Sequence, residues 1–407
     1  MEFINRCITV LFLLCCSYQF LFIPLSWFLK NDETEGETAL HRFAVLICAR
    51  NEEYVIGDLI DSIHEQTYVQ DLLDIYVMAD NCTDHTKETA EDKGAYVYTR
   101  TSVQTGKGYA LQALLRHIHE DVPEGYDGYF VFDADNVLDH DFIKNMNREF
   151  SKGKDIITGY RASKNLGYNW ISAGYGLWFL RESRYLNYVR DLLHTSCFVS
   201  GTGFLFGRQT AADIVDWPFH LLTEDIEFTA ERILKNKKVY FCRDAVFYDE
   251  QPVVFSESVH QRKRWARGYL QVLGSYGKDL LKGMVQGRFA CFDLVMSMMP
   301  AYIISVVSVF LNLCWLIFCF LTSADVQPVL ISFLQFAGNM YLTLFVVGLI
   351  TMISERKHIR IPFSRRILYT FTFPLFMFTY VPIAFSALFC RCEWTPVRHT
   401  FSMEKTG

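Results

Sequence analysis

The stretch Val131-Phe132-Asp133-Ala134-Asp135-Asn136 decides how this chain is read. An apolar run, Tyr129 to Phe132, ends abruptly in two carboxylates one residue apart. Read as a strand, Tyr129 to Asp133 delivers them to its carboxyl end, where open α/β sheets bind ligands. Side chains alternate along a strand, so Asp133 and Asp135 share one side of its end. Two oxygen ligands so close suit a hard divalent cation that also holds substrate phosphates. A solvated acidic turn is the plain alternative, and the flanking sequence has to weigh between the two.

Upstream, apolar runs alternate with helical stretches. Phe43 to Ala49, Ile75 to Ala79 and Tyr96 to Thr99 read as buried strands; Tyr54 to Glu65, the residues from Asp84 to Gly94, and Tyr109 to Glu120 read as helices. Strands alternating with helices imply a mostly parallel sheet covered on both faces. Each strand end carries polar residues that can converge on one crevice: Asn51 and Glu52, then Asp80, then Asp133 and Asp135. Lys107 stands between Gly106 and Gly108 at a helix start, where the dipole disfavours a cation. A bound anion such as a diphosphate accounts for it.

Downstream, Ile156 to Tyr160 is a further strand, and Asn165 to Arg190 is rich in aromatics. That segment suits plain core, a helix along a membrane interface, or the floor of an acceptor channel. Ser200-Gly201-Thr202-Gly203 reads either as a tight turn or as a place where backbone approaches a ligand closely. Leu222-Thr223-Glu224-Asp225 introduces a helix from Ile226 to Lys235, with Thr223 as its cap. Gln261-Arg262-Lys263-Arg264-Trp265 and Arg267 place four cations within six residues, which invites an anion, whether diphosphate or lipid headgroup.

The chain has 407 residues, 51% of them hydrophobic and 16% aromatic, and the apolar excess sits at its two ends. Cys7 to Leu29, Leu294 to Thr322, Gln327 to Ser354 and Ile367 to Cys390 carry no charge, and each is of spanning length. Pro374 and Pro382 break the last, which either crosses or lies partly in the interface. Arg356, Lys357, Arg360, Arg365 and Arg366 crowd one connection, and the positive-inside rule places that side, with the central domain, in the cytoplasm. The expected division is a membrane helix over 1–30, a catalytic domain over 31–258, interfacial helices over 259–290, about three membrane segments over 291–390 and a tail over 391–407. A formal charge of −6 gives no indication of nucleic-acid binding. The 12 cysteines show no paired Cys-x-x-Cys spacing, hence neither a zinc site nor a disulfide framework. A transporter would place ionisable residues within the spans, and the three carboxyl-terminal segments have none.

With these residues assembled, the chain resembles the membrane-bound family 2 glycosyltransferases of the GT-A fold, the group of hyaluronan, cellulose, chitin and poly-N-acetylglucosamine synthases. The resemblance covers roughly Phe43 to Arg267. Asp80, Asp133-Ala134-Asp135, Thr223-Glu224-Asp225 and Gln261-x-x-Arg264-Trp265, in this order, are a highly specific combination. It implies a Rossmann-like α/β domain with flanking transmembrane helices. It also implies roles. Ala49, Asn51 and Glu52 would hold uridine, Asp80 uracil or ribose, and Lys107 the diphosphate. Asp133 and Asp135 would hold Mg²⁺ or Mn²⁺. Asp225 matches the general base, with Glu224 beside it. Gln261, Arg264 and Trp265 would close over the nucleotide and stack on the acceptor sugar. Gly201 and Thr202 stand on the acceptor side, where the match to the family's Cys-Gly version is loose. The second strand ends in one acid, preceded by Ala79, where many relatives have two. Glu393 to Thr400 resembles the tail of some relatives.

The expected reaction is inverting transfer of a sugar from a UDP-sugar to an acceptor at the membrane. Processive synthesis of a β-linked polysaccharide is the first reading; a single transfer to a lipid such as ceramide, diacylglycerol or a polyprenyl phosphate is the second. Four spans are few for a polysaccharide pore, so a homo-oligomer or a small membrane partner is a further expectation.

Overall fold

The computed structural model describes residues 2–29, 38–214, 217–322, 327–389, 392, 399 and 401. The strands are β1 (Phe43–Ala49), β2 (Leu73–Asp80), β3 (Tyr96–Arg100), β4 (Gly128–Asp133), β5 (Val137–Leu138), β6 (Ile156–Ser163), β7 (Phe204–Gly207) and β8 (Tyr240–Asp249). They form one sheet in the order β3-β2-β1-β4-β7-β6-β8-β5. The half from β3 to β4 is wholly parallel, while β7 runs antiparallel to both β4 and β6. The sheet is therefore mixed, and its parallel half is the one the alternation of strands and helices implies.

The period of two sorts the strand residues between two cores. Phe43, Val45, Ile47, Phe130 and Phe132 face one side; Ala44, Leu46, Tyr129 and Val131 face the other. Helices α2 (Ile56–His64), α3 (Thr86–Asp92), α4 (Lys107–Asp121) and α5 (Phe142–Phe150) cover the parallel half and its margin. Phe130 and Phe132 are fully buried. Burial of each such side chain contributes roughly 1.5–3 kcal/mol.

Parallel pairing also sets the site. Ala49 aligns with Ala79, and Cys48 with Asp133, so the carboxyl ends of β2, β1 and β4 lie side by side.

The aromatic segment is α6 (Trp170–Arg181), a single π-turn stretch (Glu182–Asn187) and α7 (Tyr188–Leu192). Ile171, Tyr175 and Phe179 pack on Phe376, which makes this face core. Next come α8 (Arg208–Asp213), α9 (Glu224–Leu234) and α10 (Phe255–Val285). Thr223 precedes α9 but makes no side-chain cap, contrary to the sequence expectation. It lies instead against α10, where a methyl on Gly268 would come within 2.5 Å of it.

The outer helices are α1 (Glu2–Phe28), α11 (Phe289–Met298), α12 (Pro300–Thr322), α13 (Gln327–Ser354), α14 (Phe363–Phe378) and α15 (Tyr380–Phe389). Among the described residues three stretches are long and apolar enough to cross a membrane: Phe3–Phe28, Leu330–Ser354 and Phe363–Phe389. The expected span from Leu294 to Thr322 is divided near Met299. Leu294, Val295 and Met298 belong to a core shared with Ile226 and Val272, so α11 packs on the domain. The amides of Asn5 and Asn312 donate to each other, at 3.0 and 2.9 Å, and join α1 to α12. The last segment is interrupted at Thr379, between α14 and α15, and not at the prolines expected to break it: Pro374 lies inside α14 and Pro382 inside α15.

Arg262 explains how that break is tolerated. It is fully buried, donates to Thr379 Oγ1 at 2.6 Å and to the Phe376 carbonyl at 3.3 Å, and lies over the Phe376 ring. A cation at the carboxyl end of a helix is favoured by the helix dipole. Arg262 thus binds carbonyls; it does not supply the anion site that the cluster of four cations suggests.

Gly203 has φ +66°, and a Cβ there would stand 2.1 Å from the Phe247 ring. Gly203→Ala is expected to cost about 2–4 kcal/mol through overpacking and left-handed strain, read as a lowered melting temperature of the detergent-purified protein.

Candidate active site

Ala49, Glu52, Asp80, Lys107, Asp133, Asp135, Gly201, Glu224, Asp225, Gln261, Arg264 and Trp265 all line one cavity of about 470 Å³. They come from four strand ends and from the starts of α4, α9 and α10. Two expected members stand elsewhere. Asn51, at φ +59°, accepts from the Thr83 amide at 2.8 Å and so ties two loops together. Thr202 is buried beneath the rim: its hydroxyl donates to Asn136 and accepts from the Asp133 amide at 2.9 Å. It positions Asp133 and does not face the cavity.

Lys107 does not point at open space. Its ammonium lies 2.5 Å from Asp133 Oδ1 and donates to the Gly201 carbonyl at 2.7 Å. Burial pulls its pKa down, but Asp133 and Glu224 outweigh burial and hold it above the ordinary lysine value. Gly108, beside it, has a packing reason: a Cβ would sit 2.0 Å from the Phe219 carbonyl oxygen. The glycine therefore admits the segment after Trp217, and need not signify an anion.

Glu224 and Asp225 both lie above the ordinary carboxylate range, chiefly through burial. Asp225 raises Glu224 further, while backbone amides at the start of α9 and Lys107 hold Asp225 back. Glu224 therefore keeps its proton to higher pH, and Asp225 ionises first. Burial lowers the Arg264 pKa, against the pull of Glu224, Asp133 and Asp225. Trp265 meets Tyr175 and Phe179 edge to face, at 5.8 and 6.1 Å between ring centres.

Several members escaped the sequence reading. Arg100 lies 2.6 Å from Asp80. Arg161 pairs with Asp249, donates to the Ser200 carbonyl at 2.7 Å and stacks on Phe179. Glu250 donates its amide to Asp135 at 2.8 Å. From the tail, His399 reaches Glu52 at 3.0 Å and Phe401 donates its amide to Glu250. Burial raises Glu52 to about 7, against His399. Residues 393–398 and 400, which carry the rest of the tail motif, lie outside the described residues.

The donor set suits a hard cation. Asp133 keeps its side chain 41% exposed, and Asp135 lines the same cavity. No group of three or more His, Cys, Asp or Glu side chains is placed to hold a metal among the described residues. Two carboxylates with the rest of the shell left to phosphate oxygens and water is the arrangement Mg²⁺ takes at substrate phosphates.

A mixed sheet in which β2 and β4 end in Asp80 and Asp133, with Lys107 and Arg264 lining the same cavity, defines an α/β domain whose strand ends bring acids and cations together where such sheets bind ligands. Residues 41–268 match the family described as glycosyltransferase like family 2, and the chain belongs to that family. It is similar to a beta-monoglucosyldiacylglycerol synthase of Nostoc sp., 25% identical over 295 residues, which are 68% of this chain and 58% of that one. It is also similar to the poly-beta-1,6-N-acetyl-D-glucosamine synthase of Staphylococcus aureus, 24% identical over 288 residues, 67% of this chain and 64% of that one. The chain thus spans less than two thirds of the length of these relatives. A mannosyltransferase of Pyrobaculum calidifontis, solved with GDP-Man and Mn²⁺, superposes over 95% of this chain and 99% of its own with a TM-score of 0.61 at 15% identity, which establishes the shared fold.

Thr202→Val would leave the buried Asp133 amide unpaired, at a cost of about 1–3 kcal/mol. The melting temperature of the detergent-purified protein should fall accordingly.

Proposed function

We propose that this chain transfers a sugar from a UDP-sugar to an acceptor hydroxyl at the membrane, with inversion at the anomeric carbon. The observation that carries the reading is the meeting of Asp80, Lys107, Asp133, Asp135, Asp225 and Arg264 around one cavity. Asp80, oriented by Arg100, and the backbone at Ala49 hold the nucleoside. Asp133 and Asp135 hold Mg²⁺ or Mn²⁺, which when bound offsets the charge of the departing diphosphate. Lys107 and Arg264 add fixed positive charge from the protein side.

Asp225 takes the proton of the acceptor hydroxyl. The acceptor oxygen then bonds to the anomeric carbon from the face opposite the diphosphate, whose C–O bond breaks with its electron pair leaving on UDP. Glu224, protonated, places no second negative charge in the path of the incoming oxygen. An α-linked donor gives a β-linked product.

For the acceptor, the half-buried Trp178 and Trp265 line the cavity as aromatic surface on which sugar rings stack, which supports a growing β-linked polysaccharide. A single transfer to a membrane lipid is the second reading, favoured by the Met340, Leu344, Val347, Met377 and Val381 wall. The basic connection between α13 and α14 supports a multi-pass protein with its catalytic domain in the cytoplasm. We also propose the division at 30, 258, 290 and 390 as functional units, although α10, from Phe255, runs across the boundary at 258 and α11, from Phe289, across that at 290.

Incubating the purified protein with radiolabelled UDP-sugars separates the acceptor readings: a ladder or high-mass product supports the polymer, and one chloroform-soluble product supports the lipid. Asp225→Asn should lower kcat by roughly 10²–10⁴ with the fold unchanged by circular dichroism. The base must be ionised, and its pKa is raised. Activity should therefore be lost as pH falls, along an acid limb that begins above the ordinary aspartate value. Removal of divalent ions with EDTA should abolish turnover, and Mn²⁺ or Mg²⁺ should restore it; unchanged turnover would overturn the metal assignment.

A further inference from the structure

The cavity has a second end, away from the sheet, where α1 meets the π-turn stretch after α6. Arg181 stands there, only 9% exposed. Its Nη2 donates to Gln19 Oε1 at 3.0 Å, and its guanidinium lies 4.9 Å from the Trp178 ring centre. Its Nη1 is buried and has no hydrogen-bond partner. The neighbouring arginines of this segment are matched to acids: the half-buried Arg184 to Glu355 at 3.3 Å, although its Nη1 is also left without a hydrogen-bond partner, and the buried Arg190 to Asp293 at 2.7 Å. Arg181 has no such match among the described residues. Glu182, next in sequence, is engaged elsewhere, accepting from Ser200 Oγ at 2.5 Å.

A buried guanidinium without a counter-charge is costly, and an anion with good hydrogen-bond geometry offsets the cost. Burial pulls the Arg181 pKa below the ordinary arginine value, Glu182 opposes this, and Arg190 adds to it. The charges that act on it most strongly are Glu182 and Arg190, at its own end of the cavity. The surrounding wall is mixed: Gln19 and Ser297 are polar, while Cys16, Phe20 and Met296 are apolar or nearly so, and all five line the cavity. Gln19 also donates to Ser297 Oγ at 3.4 Å. An anion that fits both halves of this wall is a phosphate attached to hydrocarbon. The planar fork of arginine suits phosphate oxygens, and an arginine is preferred to lysine where such recognition is buried.

We propose that Arg181, with Gln19 and Ser297, forms a second anion subsite that holds the phosphate of a lipid at the membrane end of the cavity. The inference rests on the reading of this cavity as a transferase's, and deepens it by naming the class of molecule at its second end. The phosphate belongs either to the acceptor or to a bilayer lipid that completes the wall without reacting.

The test uses the full chain in detergent, with didecanoyl phosphatidate and didecanoylglycerol as probes and native mass spectrometry as readout. The unmodified chain should retain phosphatidate at least roughly tenfold more tightly than the neutral lipid, a gap of the size a charged hydrogen bond supplies. Arg181→Gln should remove that preference, and Arg181→Lys should keep part of it. Equal retention of the two probes by the unmodified chain overturns the proposal, and needs no variant to fold. Equal phosphatidate retention by Arg181→Gln and the unmodified chain overturns it as well. Adding UDP-sugars, with didecanoyl phosphatidylglycerol in place of phosphatidate because its headgroup carries the hydroxyls that phosphatidate lacks, sorts the sources: a bound lipid heavier by one sugar is an acceptor, and one of unchanged mass is a resident bilayer lipid. Either supports the subsite. Failure of the glycosyltransferase reading shows separately, as absence of UDP release, and leaves the binding comparison intact.

Discussion

The ion pair of Lys107 with Asp133 ties together three parts of the domain that are far apart in sequence. The ammonium joins the start of α4 to the end of β4, and its bond to the Gly201 carbonyl adds the turn before β7. A half-buried pair of this kind is weak as a source of stability, because solvent screens it on the Asp133 side and desolvation of Lys107 offsets much of the Coulomb gain. Its value is geometric. It fixes where the Asp133 carboxylate points, and Thr202 fixes the backbone beneath it. Glu224, Asp225 and Arg264 then titrate in the field of that pair.

A cavity with this many charges is kept folded by what surrounds it. Two apolar cores on opposite faces of the sheet hold the strand ends in register. A third core joins α9 to α10 and α11, so the Thr223-Glu224-Asp225 turn and the Gln261-x-x-Arg264-Trp265 turn are built on one packed unit. The membrane-side helices close the opposite end. The apolar wall and the sheet edge therefore face each other across a single space, and a hydrophilic donor and a hydrophobic acceptor can share it.

Much of this was readable from the residues. Apolar runs that end in acids located the strands and their useful ends, because parallel strands buried on both faces have little choice of composition. The convergence of Asp80, Asp133 and Asp135 followed from topology, whereas Asp225 and Arg264 joined them only through the family resemblance. What remained hidden was pairing at long range. Nothing near Arg161 in sequence points to Asp249, nor does Glu52 point to His399, some 350 positions away. Arg262 and Arg264 are two residues apart in one basic run, yet a helix turns about 100° per residue. One is therefore directed to the α14 carbonyls and the other to the cavity. Composition alone could not separate them. Thr223 and Thr202 misled for a related reason: both sit where a cap or a ligand contact is common, and both are taken up by packing or by backbone support.

The unbroken α10 has a mechanical corollary. A helix of 31 residues is a stiff rod of roughly 46 Å, and it is clasped at Gly268, where Thr223 leaves no room for even a methyl group. Clasped there, it behaves as a lever. Motion of its far end beside α11 arrives at Gln261 and Trp265 as rotation about that fulcrum, with no joint between to absorb it. The packing of α11 and the cavity lined by Gln261 and Trp265 are thereby set by one rigid element.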